Sequence, residues 1–249
     1  MAGHSKWAQI KRKKAVTDAR RGQLWTKILK EVTVAARLGG GDADGNPRLR
    51  TAVQEARSSN VPNDNIDRAV KRGTGELEGV NYEEVSYEGY GPGGVAILVE
   101  VVTDNRNRTV AEIRHLLSKS GGNLGENGCV AWMFDKKGLF AIDKEGMSEE
   151  AFMELALEID AEDISIEEET YEIYSQPELF AAIREELEKR QVPLVAKEIA
   201  MLPQSQVKVD AEKTPSLLRL MEALEDHEDV QHVWANFDID ADVLASQIG

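Results

Sequence analysis

Near residue 80 the spacing of apolar side chains changes from a helical repeat to an alternation, and that change fixes most of the architecture open to this chain. Before it, Leu24, Ile28, Val32 and Ala35 recur at intervals of four, four and three, the mark of an amphipathic helix. After it, residues 82–90 and 95–103 alternate as strands do, with Gly91-Pro92-Gly93-Gly94 turning between them. Helices first and strands later predict an α+β protein. We expect an N-terminal α-helical bundle followed by two α/β domains with antiparallel sheets, at least one of them ferredoxin-like. A chain of 249 residues is long enough for cores of that number.

The helical part punctuates clearly. Thr17 is the expected N-cap of the first helix, which stops at Gly39-Gly40-Gly41, and Asn46-Pro47 supplies the N-cap and first position of the next. Asp42, Asp44 and Asn46 imitate a calcium loop, but the glycine falls at the fourth position and Val53 stands where a bidentate Glu is needed. Pro62 opens a third helix that ends at Gly73. The pair resembles a helix-turn-helix whose second helix shows Asn63, Asn65, Arg68, Lys71 and Arg72. A basic helical domain over residues 1–78 is the expected unit.

Downstream, Thr109 and Glu112 read as a capping box for a helix with Val110, Ile113, Leu116 and Leu117 inward, and residues 129–134 as a strand. From Gly138 the order is β-α-β-β-α-β, with strands at 139–142, 163–166, 171–174 and 194–201. Its helices start at Ser148 and near Ser175, the latter with Glu178 as a second capping box. That is the ferredoxin-like pattern. A strand at 207–209, a helix capped by Thr214 with Pro215 first, and a strand at 230–238 then return to the middle domain. The expected division is 1–78, 79–136 with 204–249, and an acidic insertion at 137–203.

Charge singles out the functional end. Residues 1–30 hold nine Lys and Arg against one acid, Asp18. Residues 1–75 carry +9 and residues 76–249 carry -24, within a chain of net charge -15. A basic arm on an acidic body points to an anionic partner, because each cation that neutralises a phosphate releases condensed counterions. The competing reading is a merely solvated charged face. The candidate nucleic-acid-binding residues are Lys6, Lys11, Arg12, Lys13, Lys14, Arg20 and Arg21. Arg106 and Arg108 join them, since they lie between a strand end and a helix N-terminus, where free backbone N–H groups favour anions. Their alternative is pairing with nearby acids. The acidic remainder offers a docking surface for a basic protein partner.

Enzyme chemistry is not expected. His4, His115, His227 and His232 are scattered without metal-ligand spacing, and no nucleophile-elbow or phosphate-loop pattern occurs. Cys129 is the single cysteine, which excludes an intramolecular disulfide. No cofactor is expected. No apolar run approaches the ~18 residues of a membrane span, and residues 1–14 lack the apolar stretch of a signal peptide. The expected location is cytoplasmic, with no membrane partner.

Several segments carry a family resemblance. They are Met1-Ala2-Gly3-His4-Ser5-Lys6-Trp7, Arg37-Leu38-Gly39-Gly40-Gly41-Asp42 and Asn46-Pro47-Arg48-Leu49-Arg50. Tyr87-Glu88-Gly89-Tyr90-Gly91-Pro92-Gly93-Gly94, Asp104-Asn105-Arg106-Asn107-Arg108-Thr109 and Gly121-Gly122-Asn123-Leu124-Gly125 complete the set. Together they resemble the YebC/PmpR family over residues 1 to about 240. The resemblance implies a helical N-terminal domain and two α/β domains. It also implies a DNA-binding transcriptional regulator, while mitochondrial relatives are translational activators of cytochrome c oxidase and bacterial members have been linked to translation on the ribosome. It supplies no base-reading residues, so the site assignment rests on charge. DNA and ribosomal RNA both remain open as targets.

Overall fold

The computed structural model describes residues 18–167, 169–240 and 243. Three helices come first: α1 (Asp18–Gly39), α2 (Pro47–Ser58) and α3 (Asn63–Thr74). They share a core of Ile28, Val32, Ala35, Leu49, Ala52, Ile66 and Ala69. Asn46 joins the first two. Its side-chain oxygen accepts from the Leu49 N–H, and its amide donates to the carbonyls of Ala35 and Gly40, each at 2.8 Å. Backbone groups orphaned at both helix ends are satisfied by one buried side chain. Close crossing of α1 and α3 needs Gly73, since a Cβ there would stand 2.4 Å from the Thr33 carbonyl oxygen. Thr17 lies outside the described residues.

The middle sheet is built from β1 (Glu83–Tyr90), β2 (Ala96–Thr103), β3 (Asn123–Leu124) and β9 (Val230–Ala235), in the order β3-β1-β2-β9. The β1–β2 hairpin closes where expected, through Gly93 and Gly94, both at positive φ. Two helices, α4 (Arg106–Lys119) and α7 (Thr214–Glu225), cover one face, burying Ile113, Leu117, Leu217 and Leu220 against Ile97, Val99 and Val233. On the other face Ala96, Leu98 and Trp234 pack against Val130 and Phe134.

Between β3 and β9 the chain makes a second sheet from β4 (Phe134–Asp143), β5 (Asp163–Ile166), β6 (Thr170–Ser175) and β7 (Leu194–Pro203), in the order β5-β6-β4-β7. All pairings in it are antiparallel. Helices α5 (Glu149–Glu158) and α6 (Phe180–Lys189) lie on one face, with Phe152 stacked on Tyr171 and Phe140 on Phe180. Ferredoxin-like order is therefore present, as expected. Two short strands, β8 (Val207–Lys208) and β10 (Phe237–Asp238), pair in parallel.

Four local expectations are corrected. Helix α4 starts three residues before Thr109, capped by Asn105, whose side chain accepts from the Arg108 N–H. Thr109 is instead buried and turned to Asp229. Residues 129–133 are not a strand, because the Glu88 carboxylate draws the N–H groups of Gly128, Val130 and Ala131 into a turn. Ser175 ends β6 rather than capping a helix, and α6 begins at Phe180 after a 3₁₀ turn. Finally, the last long strand breaks at Asn236, whose buried side chain accepts from the Ala96 N–H at 2.7 Å.

Candidate nucleic-acid interface

The sequence brings many cations to the helical bundle, and the fold consumes a good part of them internally. Lys27 donates to the Glu225 carbonyl at the end of α7. Arg37 donates to the carbonyls of Tyr82 and Val80, both at 3.2 Å. Arg48 grips Glu31 through two nitrogens and reaches Glu84 on β1. Arg50 ties down the carbonyls of Ala43 and Asp44. These side chains dock the bundle or close its loops.

At the junction sits Asp229, just before β9 and fully buried. Its Oδ1 accepts from the Lys30 ammonium on α1 at 2.6 Å. Its Oδ2 accepts from Arg108 and Thr109 on α4, each at 2.7 Å, and from Thr103 at the end of β2 at 3.1 Å. Burial by itself would raise this carboxyl's pKa. The hydrogen bonds from Lys30, Arg108 and Thr109 overcome it and hold Asp229 well below the usual carboxylate range. His227 steadies the turn: Nδ1 accepts from the Asp229 N–H, leaving Nε2 to face Glu112 at 2.8 Å.

The candidate residues therefore part company. Lys6, Lys11, Arg12, Lys13 and Lys14 lie outside the described residues, and Arg20 is described only as a backbone position of α1. Arg21 is exposed in the first turn of that helix. Arg108 hydrogen-bonds Asp229 and also Asp104, at 3.0 Å, and its pKa is raised chiefly by the bond to Asp229. Arg106, two residues away, is exposed and forms no ion pair among the described residues. Its carbonyl accepts from the Tyr87 hydroxyl at 3.4 Å. Two arginines only two residues apart are thus divided between scaffold and surface.

Exposed cations that charge counting left off the site are Arg57 on α2 and Arg68, Lys71 and Arg72 on α3, none ion-paired among the described residues. The helical spacing of α3 already puts the last three on its solvent side. Asp64 and Asp67 interrupt that surface, and the groove between α2 and α3 is lined by Arg57 and Lys71 together with Asp42, Asp67 and Glu76. Among the described residues no group of three or more His, Cys, Asp or Glu could hold a metal ion, and no helix is long and apolar enough to cross a membrane.

Fold and site together define a modular α+β protein in which a cation-rich helical bundle is locked by ion pairs to the first of two antiparallel sheets. The TACO1/YebC N-terminal domain model matches residues 5–76, and that for the TACO1/YebC second and third domain matches residues 82–237. The chain belongs to the TACO1/YebC family. It is 57% identical over 247 residues to a probable transcriptional regulatory protein of Natranaerobius thermophilus, covering 98% of this chain and 99% of that one. A probable transcriptional regulatory protein of Geobacter sulfurreducens is 56% identical over 244 residues, with 98% of each chain covered. Among solved structures, a conserved hypothetical protein from Aquifex aeolicus superposes with a TM-score of 0.86 at 49% identity, over 94% of this chain and 97% of that one.

Proposed function

We propose that this chain is a non-enzymatic, cytoplasmic regulator of gene expression that binds nucleic acid through its N-terminal domain, as a DNA-binding transcriptional regulator. The observation that carries the proposal is the charge partition: +9 over residues 1–75 against -24 over the remainder. Phosphate is attracted to the first part and repelled by the rest within a Debye length of ~8–10 Å, so binding is confined to one end. The names of the relatives support a transcriptional role. Division into 1–78, 79–136 with 204–249, and an inserted 137–203 assigns contact to the first unit. The second carries the Asp229 lock, and the acidic third is free to meet a basic protein.

A second reading is a ribosome-associated translation factor that contacts RNA. Asp64 and Asp67 favour it, because acids on the solvent side of α3 weaken a duplex reader there. Genome-wide DNA occupancy measured beside co-sedimentation with ribosomes decides. Discrete chromosomal sites support the first reading, salt-sensitive ribosome association the second, and neither would overturn both.

A further inference from the structure

Helix α1 turns a stripe of cations toward the body. Lys27, Lys30, Val34 and Arg37 recur at intervals of three, four and three, so they share one side of the helix. Lys27 donates to the Glu225 carbonyl at the C-terminus of α7, where the helix dipole favours a cation. Lys30 donates to the Glu228 carbonyl at 3.0 Å as well as to Asp229, and its ammonium stands 5.7 Å from the centre of the Tyr82 ring. Arg48 on α2 reaches Glu84 on β1 at 2.5 Å. On the side of the acidic insertion, Arg184 of α6 donates to the Gln54 side chain of α2 at 2.7 Å. Each of these contacts is a hydrogen bond or an ion pair.

Apolar packing does not weld the parts together. Among the described residues, no buried apolar cluster combines side chains of the bundle with those of either sheet. Val34, the apolar member of the stripe, is buried but lies outside the bundle core. The covalent connection is residues 75–82, which form no helix or strand and open with Gly75 at a φ of 83°. Domains joined by a polar interface and one irregular linker move relative to each other unless that interface is large and apolar. The oxygens that hold the bundle are also chemically what a phosphate backbone offers, since both accept from Lys and Arg. With -24 over residues 76–249, the body is an internal competitor for the cations of α1 and α2.

We propose that the Asp229 lock is autoinhibitory: the acidic body holds the helical bundle closed, and nucleic-acid phosphate displaces the body from Lys27, Lys30 and Arg48 as the bundle moves out on residues 75–82. The inference rests on the reading of this chain as nucleic-acid-binding. A ligand that binds the open form gains affinity in proportion to the fraction that is open. Hydrogen exchange of the full-length wild type is measured alone, with a mixed-sequence DNA duplex and with a single-stranded RNA of the same sequence. Residues 225–230 belong to the body, and their amides should exchange severalfold faster in the complex, whereas a rigid junction leaves them unchanged or slower. Asp229→Asn should bind about tenfold tighter or more, the factor that one charge-assisted hydrogen bond represents. Its radius of gyration in solution scattering should rise while melting stays cooperative. Exchange at residues 225–230 that is unchanged or slower in a complex overturns the lock and leaves nucleic-acid binding standing, as does a folded Asp229→Asn that binds no tighter. If that variant does not melt cooperatively, wild-type exchange decides alone. A wild type that binds neither probe overturns nucleic-acid binding and autoinhibition together.

Discussion

Lys30 and Asp229, 199 residues apart, meet at 2.6 Å with 9% and 1% of their side chains exposed. Desolvating the pair is costly, and the cost is offset because Arg108, Thr103 and Thr109 fill the remaining lone pairs of the carboxylate. Asp229→Ala strands a buried ammonium and should lower unfolding free energy by roughly 3–5 kcal/mol. Lys30→Met should cost less, since Asp229 keeps its other three donors. Urea midpoints of the two variants should fall in that order.

The same carboxylate sets the acid limb of stability. Asp229 has its folded pKa held below the ordinary value of an aspartate, so the unfolded chain binds more protons wherever the two differ. Its contribution is present above the unfolded pKa and is lost as pH falls through the folded one. Glu88 is shifted in the same direction. Wild type should therefore lose stability as pH drops below about 4. Asp229→Asn, already weaker at neutral pH, should show a shallower loss over that window. Parallel slopes in urea titrations across the acid range would mean that other carboxylates carry the effect.

Arg106 and Arg108 should separate in single variants. Removing Arg108 takes one charge-assisted hydrogen bond from the buried Asp229, worth about 1.5–3 kcal/mol, so melting temperature should fall. Arg106→Ala touches no ion pair among the described residues and should leave stability within about 0.5 kcal/mol. If Arg106 meets a phosphate, its loss weakens nucleic-acid binding about tenfold or more. Calorimetry and anisotropy on each variant read the two effects independently.

Elements governed by local chemistry were legible before any coordinates. The Asn46 and Ser148 caps, the Gly93-Gly94 turn and the β-α-β-β-α-β order all follow from spacing and residue type. Misread positions are those where a distant partner decides. Thr109 and Glu112 fit a capping box as well as Asn105 fits a cap, but the threonine hydroxyl turns inward to Asp229, 120 residues on. Residues 129–133 read as strand, and it is the buried Glu88 carboxylate, more than 40 residues earlier, that holds them in a turn. In the candidate site, counting charge found the basic end but could not tell Arg106 from Arg108.

The basic arm carries the most direct prediction. Residues 1–14 hold Lys6, Lys11, Arg12, Lys13 and Lys14 against no acid. Counterion release makes log K fall with log salt by about 0.9 for each phosphate neutralised on duplex DNA. If six basic side chains reach phosphates, the slope for wild type should be roughly -5. Deleting residues 1–14 removes five cations, so the truncated chain should bind with a slope near -1 and lose measurable affinity at physiological salt. Its unfolding midpoint should stay near wild type, because the Lys30–Asp229 pair and the bundle core begin beyond the cut. Anisotropy titrations at several salt concentrations measure both slopes. An unchanged slope after truncation would move the phosphate contacts to Arg57, Arg68, Lys71 and Arg72, the exposed cations of α2 and α3.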